Sequence, residues 1–247
     1  MAKPKENAHN ARRTTAASNI RHRILEHGEG FWRAQDFPSL PPLAVSQTLS
    51  RLAHERVIQR VSKGIYFRPR TTMFGESQPA RSDVLAQRLR MPLKPAGHTA
   101  ANLLGFTTQN PAVHEYATTA SAVSRQSLAG ERIKIYTRRP EAWKDLSAED
   151  AAVLEFLRDH GRTSELSDKE TQAGLLSLLK EPGRFKRLVA ASASEPPRVR
   201  AMLGALGQGL DADPPLLDSL KASLNPLSRF DFGVLSSLHH AKDWQAK

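Results

Sequence analysis

From Thr14 onward the apolar residues Ala17, Ile20, Ile24 and Leu25 return at helical spacing until Gly28 and Gly30 interrupt the run. Such a stripe predicts a first helix that buries one side. Residues 1–13 have few apolar groups and carry Lys3, Lys5, Arg12 and Arg13, so they read as a flexible basic arm or as a plain solvated tail. Phe31, Ala34 and Phe37 recur every third position ahead of Pro38-Ser39, which predicts a short second helix.

A third helix is predicted over Pro41–Arg56, opened by a proline pair where a missing N–H costs a helix least. Val45, Leu49, Leu52 and Ala53 form its apolar stripe, and Ser46, Gln47, Ser50, Arg51 and His54 lie opposite. Short hydroxyls and an amide beside one arginine suit a helix lying in a major groove, where Gln pairs with adenine and Arg with guanine or phosphate. An ordinary surface helix is the plainer alternative, although such helices more often carry Lys and Glu. Val57–Arg68 then reads VIQRVSKGIYFR, two β-rich runs around Ser62-Lys63-Gly64, with Gly64 suited to the positive φ of a tight hairpin. Lys63 falls at its tip, Arg60 and Arg68 flank the strands, and Val61, Ile65 and Phe67 supply packing. Three helices followed by a basic hairpin give the order of a winged helix-turn-helix over residues 14–70, a unit used for DNA and also for protein contacts.

The pattern changes twice more. Residues 71–140 read as a mixed α and β section: helices at Arg81–Leu89 and His98–Leu104, strands at Tyr116–Thr119 and Arg132–Tyr136. Its basic group, Arg132, Lys134, Arg138 and Arg139, either extends a DNA-contacting face or keeps a strand edge soluble. From Ser147 strand signals stop, and residues 141–247 read as a helical part with helices near Ala152–Leu157, Asp168–Leu179, Gly183–Ala191, Pro197–Leu206 and Pro214–Leu224. The fold class expected is therefore α+β, in which residues 71–247 also admit a reading as one domain.

Charge sharpens this division. Residues 1–70 hold 13 basic and 5 acidic side chains, residues 71–140 hold 9 and 4, and residues 141–247 hold 14 and 16. The chain as a whole carries a formal +11, the balance of a partner to polyanions, and that charge lies in the first two sections. No apolar run reaches the roughly 20 residues of a membrane span, and no secretory signal pattern opens the chain, so a cytoplasmic protein without a membrane partner is expected. The absence of cysteine excludes disulfides, thiolate metal sites and thiol nucleophiles.

The order of elements through RVSKGIYFRP, followed by GHTAANLLGFTTQNP at 97–111, YATT at 116–119 and EPPRVRAMLGALGQ at 195–208, resembles AbiEi-type antitoxins of type IV toxin-antitoxin systems. The resemblance touches most of the chain; the 97–111 segment is its most specific part. It implies a DNA-binding repressor of its own operon and a C-terminal domain that counters a nucleotidyltransferase-like toxin, in phage defence.

Enzymatic patterns are missing. His239-His240 are adjacent, so on a helix they point about 100° apart and suit no common metal. There is no phosphate-binding glycine loop, dinucleotide fingerprint or nucleophile elbow. No enzyme, metal or cofactor is expected, and the residues assigned to double-stranded DNA are Gln47, Ser50 and Arg51 for base contact or positioning, Ser46 and His54 at the edge of the contact, and Arg60, Lys63, Gly64 and Arg68 of the wing with Arg12 and Arg13 of the arm for wing and phosphate contacts. A symmetric operator would require a dimer or two copies of the chain. The competing readings are a protein- or RNA-interaction module on the same basic face, and more distantly a metal-dependent nuclease.

Overall fold

The computed structural model describes residues 5–124, 128 and 130–247, with residues 5–15 described as backbone alone. The fold is α+β and divides into two compact units, one ending at Met91 and one beginning at Pro92. The division falls inside the stretch 71–140 that the sequence pattern sets apart as a middle section.

The first unit opens with α1 (Lys5–His27). The helix starts nine residues before the expected Thr14 and takes in residues 5–13 of the expected arm; no Pro or Gly interrupts 5–27, and a helix already nucleated around Ile20 and Ile24 propagates at little cost. Ile20 and Ile24 are fully buried, whereas Leu25 is 44% exposed and lies outside the core. The expected second helix is a correction. Gly30–Trp32 is a strand, β1, and only Ala34–Asp36 turns, as a single 3-10 turn. The period of three seen in the sequence cannot sustain an α-helix over so few residues, and pairing of the aromatic dipeptide with a strand far along the chain wins.

After α2 (Pro42–His54) come β2 (Gln59–Ser62) and β3 (Ile65–Arg68), with β3 central in an antiparallel sheet of order β1-β3-β2. The register sets Phe31 against Phe67 and Trp32 against Tyr66, and the Phe31 and Phe67 rings lie 5.2 Å apart. Sheet and helices close over Ile20, Ile24, Trp32, Phe37, Val45, Leu49, Leu52, Ile58 and Tyr66. A small hairpin, β4 (Thr71–Thr72) and β5 (Gly75–Glu76), and α3 (Arg81–Leu89) complete the unit. Arg33 ties α3 in, its guanidinium donating to Gln87 Oε1 at 2.7 Å.

The second unit sets a sheet against helices. β6 (Lys94–Pro95) pairs antiparallel with β7 (His114–Ala117), which runs parallel to β8 (Ile133–Tyr136); α4 (Gly97–Leu103) lies between β6 and β7 in the chain. The parallel pair is possible because residues 118–132 separate the strands, long enough for a crossover. The helices α5 (Ala148–Arg158), α6 (Asp168–Leu179), α7 (Arg184–Ser192), α8 (Pro197–Gln208) and α9 (Pro214–Ala222) follow. Ser147 caps α5 by accepting from the Asp150 N–H at 3.0 Å, as its spacing suggests. Every residue of α5 from Asp150 to Leu157 is buried, which makes it the central helix of the unit. Phe106 stacks on Phe156 at 4.6 Å, and Trp143 and Trp244 are almost fully enclosed. His239 and His240 lie in a turn rather than on a helix. Among the described residues no helix is long and apolar enough to cross a membrane.

Candidate nucleic-acid interface

The sorting of α2 into two faces follows from its sequence. Val45, Leu49 and Leu52 are at most 1% exposed, and the Thr48 hydroxyl, also on the inner side, donates to the Ala44 carbonyl at 2.8 Å instead of seeking solvent. Ser46, Gln47, Ser50, Arg51 and His54 are all exposed on the other side, so the structure brings these five together on one open face. Leu43, which sequence patterning passed over, belongs to the same face and is 72% exposed. Its position three and four residues ahead of Ser46 and Gln47 was the available signal. Arg51 stays 59% exposed while its Nε lies 3.7 Å from Glu55; Arg21 holds that carboxylate more closely, at 2.6 Å.

The β2–β3 hairpin turns at Lys63-Gly64, and Gly64 has φ +69° with open space where a Cβ would lie. A branched residue would be strained there, which is the physical reason for glycine. The ladder shifts register between Arg60 and Ser62, a bulge that bends the strand toward its tip. Arg60 and Lys63 are exposed, and neither makes an ion pair among the described residues. Arg68 is different: its Nη1 donates to the Ile24 carbonyl at 2.6 Å. That bond fastens the base of the hairpin to the end of α1, so Arg68 is a structural clamp rather than a cation held out to phosphate. The side chains of Arg12 and Arg13 lie outside the described residues.

In the second unit the four cations read together from sequence differ in exposure and in partners. Arg132 and Arg138 are exposed. Arg139 is 14% exposed and grips Glu155 with two bonds of 2.9 and 2.7 Å, so it belongs neither to an open DNA-contacting face nor to a solvated strand edge. Lys134 lies 3.5 Å from Glu115 and 4.5 Å from the centre of the Tyr136 ring. These pairings border a cleft of about 440 Å³ lined by Gly97, His98, Glu115, Tyr136, Arg139, Glu155, Arg158, Asp159 and Thr163, which no sequence motif announced. Gly97 has φ +49°, and a Cβ there would fall 1.9 Å from a Glu115 oxygen, so the carboxylate occupies the space glycine leaves. Burial pushes the Glu115 carboxyl up, but the His98 N–H at 2.8 Å, the Tyr136 hydroxyl at 2.9 Å and nearby Lys134 outweigh it and hold it below the usual range.

With this geometry in view, the chain can be set beside known proteins. Residues 33–181, well over half of its length, match the model of a family described as a family of unknown function, DUF6088. The chain belongs to the DUF6088 family. No curated protein matches it. The DUF6088 span contains the exposed face of α2, the whole β2–β3 hairpin and every residue lining the cleft, and it stops before α7.

Within the DUF6088 chain one buried titratable group makes a measurable prediction. Burial pushes the His160 imidazole below its ordinary 6.5, with Arg198 and Arg162 acting in the same sense and Asp231, 3.1 Å away, opposing them. The fold thus binds this proton more weakly than the unfolded chain does, so stability is complete above pH 6.5 and is lost as the pH falls from there toward the depressed folded value. The unfolding midpoint is expected to drop as the pH falls below about 6.5, and His160→Asn, which tolerates the +60° φ, to flatten that drop. An equally steep profile in the variant would remove His160 as its source.

Proposed function

We propose that this DUF6088 chain is a sequence-specific DNA-binding transcriptional repressor and that its first unit is a winged helix-turn-helix. In this reading α1, the 3-10 turn Ala34–Asp36 and α2 stand for the three helices, α2 enters the major groove, and the β2–β3 hairpin is the wing. The observation that carries it is the exposed face of α2: hydroxyls, an amide, an arginine and a histidine on one side of a helix whose other side is locked into the core. The first unit supports it electrostatically, since residues 1–91 hold 16 basic and 7 acidic side chains. The resemblance of GHTAANLLGFTTQNP and its companions to AbiEi-type antitoxins supports the narrower reading, a cytoplasmic antitoxin that represses its own operon, binds its operator as a dimer and counters a nucleotidyltransferase-like toxin.

A gel-shift series with the chain's own upstream DNA, random duplex and RNA, at two salt concentrations and without divalent metal, tests the reading. Lys63→Ala is expected to weaken binding to all duplexes alike and to reduce the salt dependence, whereas Gln47→Ala costs ~1–3 kcal/mol on the preferred duplex alone. Equal losses on preferred and random DNA would reject the role given to Gln47. A protein contact at a place other than the basic face has one feature in its favour: Met73 and Phe74, at the tip of the β4–β5 hairpin, are 92% and 95% exposed. Failure to bind any duplex would leave that reading standing in place of the repressor.

A further inference from the structure

Leu43 stands in the first turn of α2, behind Pro41 and Pro42, which are also exposed. Its 72% exposure excludes a packing role. The two prolines have no N–H to offer, so this helix start is poor in the donors that would bind a phosphate and presents an apolar edge instead. Residues four apart on a helix have Cβ atoms about 5–6 Å from one another, and stacked base pairs repeat every ~3.4 Å. In a docking that lays α2 along the groove, Leu43 and Gln47 therefore reach base pairs one or two steps apart. On the major-groove edges one apolar group is available, the 5-methyl of thymine, and the early residues of a recognition helix are the ones that meet base edges.

The geometry points to Leu43 as a specificity-determining residue that covers the 5-methyl group of a thymine one or two steps from the base read by Gln47; this rests on the DNA-binding reading above. The site has the chemistry of A·T recognition, with an amide for adenine and an alkyl group for the methyl of thymine.

The test uses the full chain and a duplex selected from a randomised pool, in which each thymine is replaced in turn by deoxyuridine. That change removes one methyl group and leaves every hydrogen-bonding atom in place. Replacement at one position per half-site is expected to weaken binding by about three- to tenfold, the range for burying one methyl group or little more. Leu43→Ala is expected to weaken binding to the original duplex by a similar factor and to bind the thymine and uracil versions equally, while Leu43→Met retains the difference. Wild-type indifference to deoxyuridine at every position would overturn the inference and leave the DNA-binding reading intact, as would a Leu43→Ala variant that still discriminates. A pool that yields no preferred duplex would overturn both. The wild-type scan needs no variant, so the outcome does not depend on how a substitution folds.

Discussion

Ser50→Glu is expected to abolish duplex binding, by at least about 100-fold, while leaving the unfolding midpoint where it is. Ser50 lies near the middle of the exposed face, one turn from both Gln47 and His54, and contributes nothing to the core. On the docking proposed above, a carboxylate at this point enters the groove among base acceptors and between two phosphate walls and is stripped of water, a cost that Arg51 and His54 beside it offset only in part. Like charges brought together and desolvated at an interface cost several kcal/mol, and each 1.4 kcal/mol is tenfold in affinity. The folded unit itself is little affected, because Glu is a good helix former at an exposed site and loses only a few tenths of a kcal/mol in the C-terminal half of a helix. Ser50→Gln, of equal length and no charge, separates charge from bulk: it should keep measurable binding. A Ser50→Glu protein that binds within about threefold of the parent would remove α2 from the contact and with it the docking on which Gln47 and Leu43 depend.

The division of α2 into a buried and an open face was legible because helical periodicity is local: each residue's side follows from its offset to Val45 and Leu49. The hairpin was legible for a similar reason, since Gly64 marks the turn at which two β-rich runs reverse. What failed were conclusions that depend on a partner far along the chain. Arg68 reads as a free cation beside Pro69, and nothing near it announces the carbonyl of Ile24, 44 residues away, that its guanidinium meets. Arg139 looks like the end of a basic run, yet Glu155, 16 residues on and inside a helix, takes its Nε–Nη2 edge with both carboxylate oxygens. Phe31 satisfied a helical period and was taken instead by Phe67 across a strand pair. The cleft around Glu115 and Tyr136 has the same origin, for it is assembled from α4, β7, β8 and the end of α5, and no window of adjacent residues contains its chemistry. Leu43 was missed for another reason: an isolated leucine in a first turn is expected to pack, and its offset to Ser46 and Gln47, which places it on the open face, carries less weight than its apolar character.

The largest loss of stability is expected from Asp150→Ala, at about 3 kcal/mol in the second unit, which for a unit of this size lowers the midpoint by roughly 6–12 °C. Asp150 is 1% exposed in the first turn of α5, where it receives Arg184 Nε at 2.9 Å and Arg187 Nε at 2.8 Å. Arg187 is 46% exposed and can turn to solvent when its partner goes, but Arg184 is 4% exposed and cannot. Its Nη2 keeps Glu149 and Glu181, and its Nη1 donates to the Leu178 carbonyl at 3.1 Å, so the charge is not wholly abandoned and the loss falls at the low end of that for breaking a buried pair. The penalty comes from the buried Nε edge of Arg184 left without an acceptor rather than from a missing attraction, which gives the decisive comparison. Replacing both partners by apolar residues, Asp150→Leu with Arg184→Met, is expected to cost less than Asp150→Ala alone. Denaturant titration followed by the fluorescence of Trp143 and Trp244 reads the second unit in each variant, with Trp32→Phe removing the signal of the first. A double variant less stable than the single one would mean that the pair stabilises α5 and α7 by its own attraction, and that desolvation is the smaller effect.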